Sequence, residues 1–128
     1  MEDKLQDLVV STDYLTDIQY ELLKGFVRLE KKKGELYFLD AFEELRPAQK
    51  IIVVLLAFRV KSKLGLPTML DEGSPKGIVR LTGLPPGTVK PSLRSLHKDR
   101  LVDQDEDGKY FIPDHAMPRV RKQFVTQK

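Results

Sequence analysis

Residues 74–102, SPKGIVRLTGLPPGTVKPSLRSLHKDRLV, decide how this chain is read. Ser74 is a favoured N-cap and Pro75 suits a first helical position, so a short helix is expected through Leu81. Thr82-Gly83-Leu84 then makes a tight turn, with Gly83 free to take a positive φ. A second helix is expected from Pro86 or Gly87 to about Asp99. Ile78 and Leu81 on the first helix, Leu84 in the turn, and Val89, Leu93 and Leu96 on the second recur at spacings that close one small core. A short helix, a glycine turn and a longer helix patterned in this way make a helix-turn-helix arrangement.

The flanks extend the pattern. Downstream, Leu101-Val102 begins a strand, Asp105-Glu106-Asp107-Gly108 turns, and Lys109-Tyr110-Phe111-Ile112 returns as a hairpin. Upstream, residues 47–64, PAQKIIVVLLAFRVKSKL, pose a choice. The β-branched run IIVV is compatible with a buried strand, but length and punctuation favour a helix. Pro47 suits the first position, Lys61 and Lys63 suit the last turn, and Gly65 followed by Pro67 is a stop signal. The run is apolar nearly all round, which predicts the most buried helix of the domain.

Over residues 46–113 the chain resembles the winged helix-turn-helix domains of prokaryotic regulators such as the MarR-like and ArsR-like families. The resemblance rests on TGLPPGTVKPSLRSL followed by LV and a hairpin, with helix 47–64 as the first of three helices. Thr68-Met69-Leu70 stands where those families place a short strand that pairs with the wing. The resemblance implies an α+β fold whose recognition helix, about 87–99, enters the major groove of double-stranded DNA. It assigns the contacts to Thr88, Lys90, Ser92, Arg94, Ser95 and Lys98. The hydroxyls donate to phosphate or a base edge, Arg94 has the planar fork that reads guanine, and Lys90 is a point charge suited to phosphate. It further implies a cytoplasmic transcriptional regulator that acts as a homodimer on two half-sites. Winged helices also serve as protein–protein modules, and that alternative stays open.

Three features depart from the family pattern. Pro91 lies about one turn into the recognition helix and lacks an N–H for the helix ladder. Arg100 stands where such sequences often have Gly, so a simple left-handed cap is not expected there. The wing is acidic, with Asp103, Asp105, Glu106 and Asp107 against Lys109 alone, and no strong phosphate contact is expected from its tip. The same loop offers a competing pattern. Asp103, Asp105, Asp107 and Gly108 match the opening D-x-D-x-D-G of a calcium loop, with Asp114 at the twelfth position. Against it, Asp is one methylene short of the usual Glu, and Asp-rich Gly turns are ordinary hairpin tips.

The remaining segments are an arm, residues 1–45, and a tail, residues 114–128. From Asp13 the arm reads helical, with Tyr14, Leu15, Ile18, Leu22 and Leu23 on one face. Ser11, Thr12 or Asp13 serves as its cap and Gly25 as its stop, while Leu5, Leu8 and Val9 suggest a preceding helical turn. FVRLE and ELYFLD then flank KKKG as a β-hairpin, with Gly34 left-handed in the turn and Lys31, Lys32 and Lys33 at a solvated tip. In the tail, DHAMPRVRKQFVTQK, Met117, Val120 and Phe124 have helical spacing with Asp114 as a candidate cap. Its roles are packing, dimerisation, or extension of the basic surface through Arg119, Arg121 and Lys122. His97 and His115 pair with no nucleophile.

The charge is uneven. The chain of 128 residues has a net charge of +3. Residues 1–45 hold 6 Lys and Arg against 11 Asp and Glu, net −5, and the remainder holds 16 against 8, net +8. A basic region joined to an acidic one fits complementary packing within one fold or, more sharply, a polyanionic partner for the basic part. The absence of cysteine excludes disulfides, thiolate metal sites and a cysteine nucleophile. The longest apolar run, Ile51 to Phe58, is far short of the ~20 residues that span a bilayer. The charged start, MEDKLQD, is unlike a signal peptide. No phosphate loop, zinc-binding HExxH or nucleophile elbow is present, so neither an enzyme nor a cofactor is expected.

Overall fold

The computed structural model describes residues 12–125. The suggested helical turn at Leu5, Leu8 and Val9 and the candidate cap Ser11 lie outside the described residues. Among the described residues the fold is mixed α+β, six helices with two small two-stranded antiparallel sheets. In chain order these are α1 (Thr12–Leu23), β1 (Val27–Leu29), β2 (Leu36–Phe38), α2 (Asp40–Glu43), α3 (Pro47–Leu64), α4 (Pro75–Thr82), α5 (Pro86–Lys98), β3 (Asp103–Gln104), β4 (Tyr110–Phe111) and α6 (Met117–Val125), with one 3-10 turn at Asp114–Ala116. Among the described residues no helix is long and apolar enough to cross a membrane.

Helix α3 is the hub. Ile51 through Phe58 are all buried, and α1, α4, α5, α6, β1 and β4 pack around it. Its start follows from Pro47 at the first position and from Gln49, whose Oε1 accepts the Arg46 N–H at 3.0 Å. The Gln49 amide also donates to the Gln123 carbonyl at 2.9 Å, which ties the start of α3 to α6. Its end is a left-handed Gly65, φ 72. Lys61 lies in the last turn, as expected, yet faces inward. It is 2% exposed and ion-paired with Glu72, because it continues the core face one turn beyond Ala57 and Phe58.

One core takes residues from every region. Ile18, Leu22, Leu23 and Val27 from the arm, Ile78, Val89, Leu93 and Leu96 from the middle, and Met117 and Val120 from the tail join α3 in a single cluster. Helix α1 contributes the apolar face read from its spacing, apart from Tyr14, which is exposed. Helix α1 ends at Leu23, just before the expected stop at Gly25, and Gly25 itself is not in the left-handed region. The first hairpin forms as expected, Val27 pairing with Phe38, Arg28 with Tyr37 and Leu29 with Leu36, and Gly34 has φ 71. Helix α6 packs on α1 and α3, with the Phe124 ring 5.9 Å from that of Phe26.

Two expectations around the second hairpin are corrected. Thr68-Met69-Leu70 is not a strand. The loop is held by Glu72, whose carboxylate accepts the Met69 N–H at 3.1 Å while pairing with Lys61. A single bond, Tyr110 N–H to the Gly73 carbonyl at 2.7 Å, joins this loop to the hairpin. The hairpin's first strand is Asp103–Gln104, not Leu101-Val102. Those two side chains are buried in the core, and pairing starts only after the chain leaves it.

Candidate nucleic-acid interface

Helices α4 and α5 are set by local chemistry. Ser74 caps α4, its Oγ accepting the Gly77 N–H at 3.1 Å, and Pro75 occupies the first turn. Gly83 ends α4 with φ 76. Pro85 and Pro86 open α5, and Val89, Leu93 and Leu96 bury one side of it against α3 and α4. The opposite side is therefore turned to solvent.

The six candidate contact residues fall into two rows on that outer side. Lys90, Arg94 and Lys98 recur every four residues and form one row of exposed cations. Thr88, Ser92 and Ser95 form a hydroxyl row on the other flank, with Ser95 exposed and Thr88 and Ser92 half-buried. Exposed Pro91 lies between the rows. Being past the first turn, it leaves the Gly87 carbonyl without its helical donor. No acidic residue occurs from Pro86 to Lys98. Among the described residues none of Lys90, Arg94 and Lys98 is ion-paired, so their charge is uncompensated.

The end of α5 corrects another expectation. Arg100 takes φ 61, the one positive φ at a non-glycine among the described residues. The Leu101 N–H donates to the Leu96 carbonyl at 2.9 Å and the Arg100 N–H to the His97 carbonyl at 3.0 Å. This is a left-handed Schellman cap built on arginine. Burial of both Leu96 and Leu101 explains it, since this cap brings them together. The Arg100 carbonyl accepts from Arg119 Nη2 at 2.7 Å, which brings a tail cation to the end of α5. His97 is exposed, with Nε2 3.5 Å from Asp103 Oδ1 and its ring edge-on to Tyr110. His115 is exposed beside Arg119.

The acidic loop uses its carboxylates locally. Asp105 Oδ1 accepts the backbone N–H groups of Asp107 and Lys109, both at 2.9 Å. Asp114, rather than closing a calcium loop or capping α6, is ion-paired with Arg59 across the fold. Among the described residues no group of three or more acidic or histidine side chains converges to hold a metal ion.

Two other polar arrangements were hidden in the sequence. Arg80 bonds Asp71 through Nε at 3.1 Å and Nη2 at 2.9 Å. That hydrogen-bonded guanidinium holds the Asp71 carboxyl below its ordinary range. The second is a groove at the opposite end of α3 from Gln49, where Lys24, Arg28 and Lys63 meet. Its residues are scattered over α1, β1 and α3, so no local spacing announces it. Compared with protein-family models, with curated proteins and with solved structures, the chain finds no match.

Proposed function

We propose that the protein is a sequence-specific double-stranded DNA-binding protein of winged helix-turn-helix type, with α3, α4 and α5 as its three helices and β3–β4 as its wing. In this reading α5 lies in the major groove. The observation that carries it is the unpaired row Lys90, Arg94 and Lys98 on the solvent side of a helix whose other side is locked into the core. A rigid helix with uncompensated cations at four-residue spacing is suited to releasing counterions from a phosphate backbone. The row Thr88, Ser92 and Ser95 supplies donors beside it, and Arg94 supplies the fork for guanine. The acidic wing tip stays off the phosphates. The reading includes a homodimer acting as a cytoplasmic transcriptional regulator.

Selection of bound sequences from random duplex DNA tests it. Enrichment of one motif is the expected outcome, repeated as a palindrome for a dimer. Failure to shift any duplex at low salt sinks it. A second reading, a winged-helix protein-interaction module, is favoured by apolar side chains beside the wing, where Met69 and Phe111 line one shallow cleft and Leu70 follows Met69 in the chain. There Leu70 is 92% exposed, Met69 56% and Phe111 41%. Exposed apolar side chains grouped in this way mark protein contacts. Salt separates the two, since affinity for DNA falls steeply with salt and affinity through an apolar patch does not.

A further inference from the structure

Helix α1, strand β1 and the last turns of α3 enclose a groove of about 670 Å³. Leu23, Val27, Leu29, Val60 and Leu64 give it apolar walls, and Tyr20 stands exposed at its edge. Among the described residues three cations line it, Lys24, Arg28 and Lys63, and no carboxylate does. Each cation is held by neutral acceptors. Lys24 Nζ sits 5.4 Å from the centre of the Tyr20 ring. Arg28 Nη1 donates to the carbonyls of Lys24 at 2.6 Å and Val27 at 2.8 Å, and Lys63 Nζ donates to Thr16 Oγ1 at 3.1 Å. Carbonyls, a ring face and a hydroxyl orient a cation without neutralising it, so the groove keeps three positive charges.

The floor holds a buried polar side chain. Gln19 lines the groove and is 3% exposed. Its amide nitrogen donates to the Leu15 carbonyl at 3.0 Å, and its amide oxygen finds no donor among the described residues. An apolar groove of this size rimmed by cations has the form of a small-molecule site.

We infer that this groove binds a small amphipathic carboxylate, its apolar body against Leu23, Val27 and Val60 and its carboxylate at the cationic rim to which Lys24, Arg28 and Lys63 contribute. Gln19 lies buried beneath this surface, and its amide oxygen is not reached from the groove. Charge complementarity selects an anion over a neutral amphiphile, and a half-open groove of this volume suits a small molecule. The inference does not depend on DNA binding, because the groove is formed by different residues from the outer side of α5.

The test is a titration of the full chain with decanoate, followed by backbone amide NMR, with 1-decanol as the neutral control. Saturable shifts centred on Gln19, Leu23, Val27 and Val60 are expected, with decanoate about tenfold tighter than decanol. The Lys24→Gln/Lys63→Gln double variant, checked by thermal melting for an intact fold, is expected to bind decanoate about tenfold more weakly. Should that variant not fold, Arg28→Gln serves the same comparison. Non-saturable or scattered shifts overturn the inference, as does equal affinity for decanol. The same residues shifting on simple dilution of the protein also overturn it, because the groove is then covered by a second copy.

Discussion

The two hairpins of this fold are built alike and charged oppositely. In the first, Glu30 closes the turn, its carboxylate accepting the N–H groups of Lys32 and Lys33 at 2.6 Å each, and Gly34 is left-handed. In the second, the Asp105 carboxylate accepts the N–H groups of Asp107 and Lys109, and Gly108 is left-handed. One tip presents Lys31, Lys32 and Lys33, and the other presents Asp105, Glu106 and Asp107. Since one acid and one glycine close both turns, the turn chemistry does not dictate the sign of the tip. The sign is left to what each tip meets. The comparison also redraws the charge map, since the arm that is acidic in total carries a basic hairpin tip and the basic region carries an acidic one.

The largest expected difference between the hairpins is in how they are anchored. A Cβ at Gly34 would meet the Pro67 carbonyl oxygen at 2.1 Å, whereas at Gly108 the nearest atom would be Gln104 Nε2 at 3.6 Å. Gly34→Ala therefore combines left-handed strain with a backbone clash and is expected to cost about 3 kcal/mol. Gly108→Ala meets strain alone and is expected to cost about 1 kcal/mol. Urea midpoints of the two variants measure the gap. Equal losses would mean that the first hairpin does not lean on Pro67.

DNA affinity ranks next. Lys90→Ala with Arg94→Ala is expected to weaken duplex binding on the order of 100-fold and to reduce the salt slope by about two. The hairpin tips should respond far less. Triple alanine replacement of Lys31, Lys32 and Lys33 is expected to weaken binding about threefold, through overall charge alone. Glu106→Gln with Asp107→Asn should strengthen it by about the same factor. Fluorescence anisotropy across a salt series reads all three. A loss from the lysine tip matching that from α5 would make the first hairpin a direct phosphate contact.

Much of this was legible in the residues because helix ends here are marked locally. Pro47 and Gly65 bracket α3, Ser74, Pro75 and Gly83 bracket α4, and Pro86 opens α5. The cation row on α5 was legible for the same reason, being a matter of spacing within one helix. What escaped was non-local. The ion pair of Lys61 with Glu72 fixes the loop that was read as a strand, and no pattern within Thr68-Met69-Leu70 records it. Arg100 was misread because its backbone answers to the joint burial of Leu96 and Leu101 rather than to its own preference. The groove escaped because three elements supply its cations. The winged helix-turn-helix reading itself stays a proposal built on these parts.

A smaller, pH-dependent effect belongs to the turn of the first hairpin. The bonds from the backbone of Lys33 and Lys32 hold the Glu30 carboxyl below the ordinary 4.5 of a glutamate. A folded-state pKa below the unfolded one gives stability that is complete above about pH 4.5 and is lost as pH falls through the lowered value. Glu30→Gln should therefore be less stable than the parent at neutral pH, and the gap should close on acidification below pH 4.5. Urea midpoints of both proteins across that range test the sign. A gap that is constant with pH would show that the carboxylate contributes no charge-dependent bonds to the turn.

The smallest expected effect concerns how each hairpin is approached. Helix α1 leads into the first through Gly25, which does not use the left-handed region, and α5 leads into the second through Arg100, which does. The glycine stands where the backbone does not require one. Replacing Arg100 by Gly removes the left-handed strain, roughly 1 kcal/mol, and part of that gain is returned as greater freedom of the unfolded chain. Arg100→Gly is thus expected to raise stability by about 0.5 kcal/mol, seen as a small rise in Tm, with the Arg119 bond to the carbonyl retained. Strain kept at one arginine at the end of the candidate recognition helix is accounted for if its side chain reaches phosphate. The same variant should then bind duplex DNA several-fold more weakly while melting higher. Higher Tm with unchanged DNA affinity would remove Arg100 from the interface and leave its conformation a consequence of packing alone.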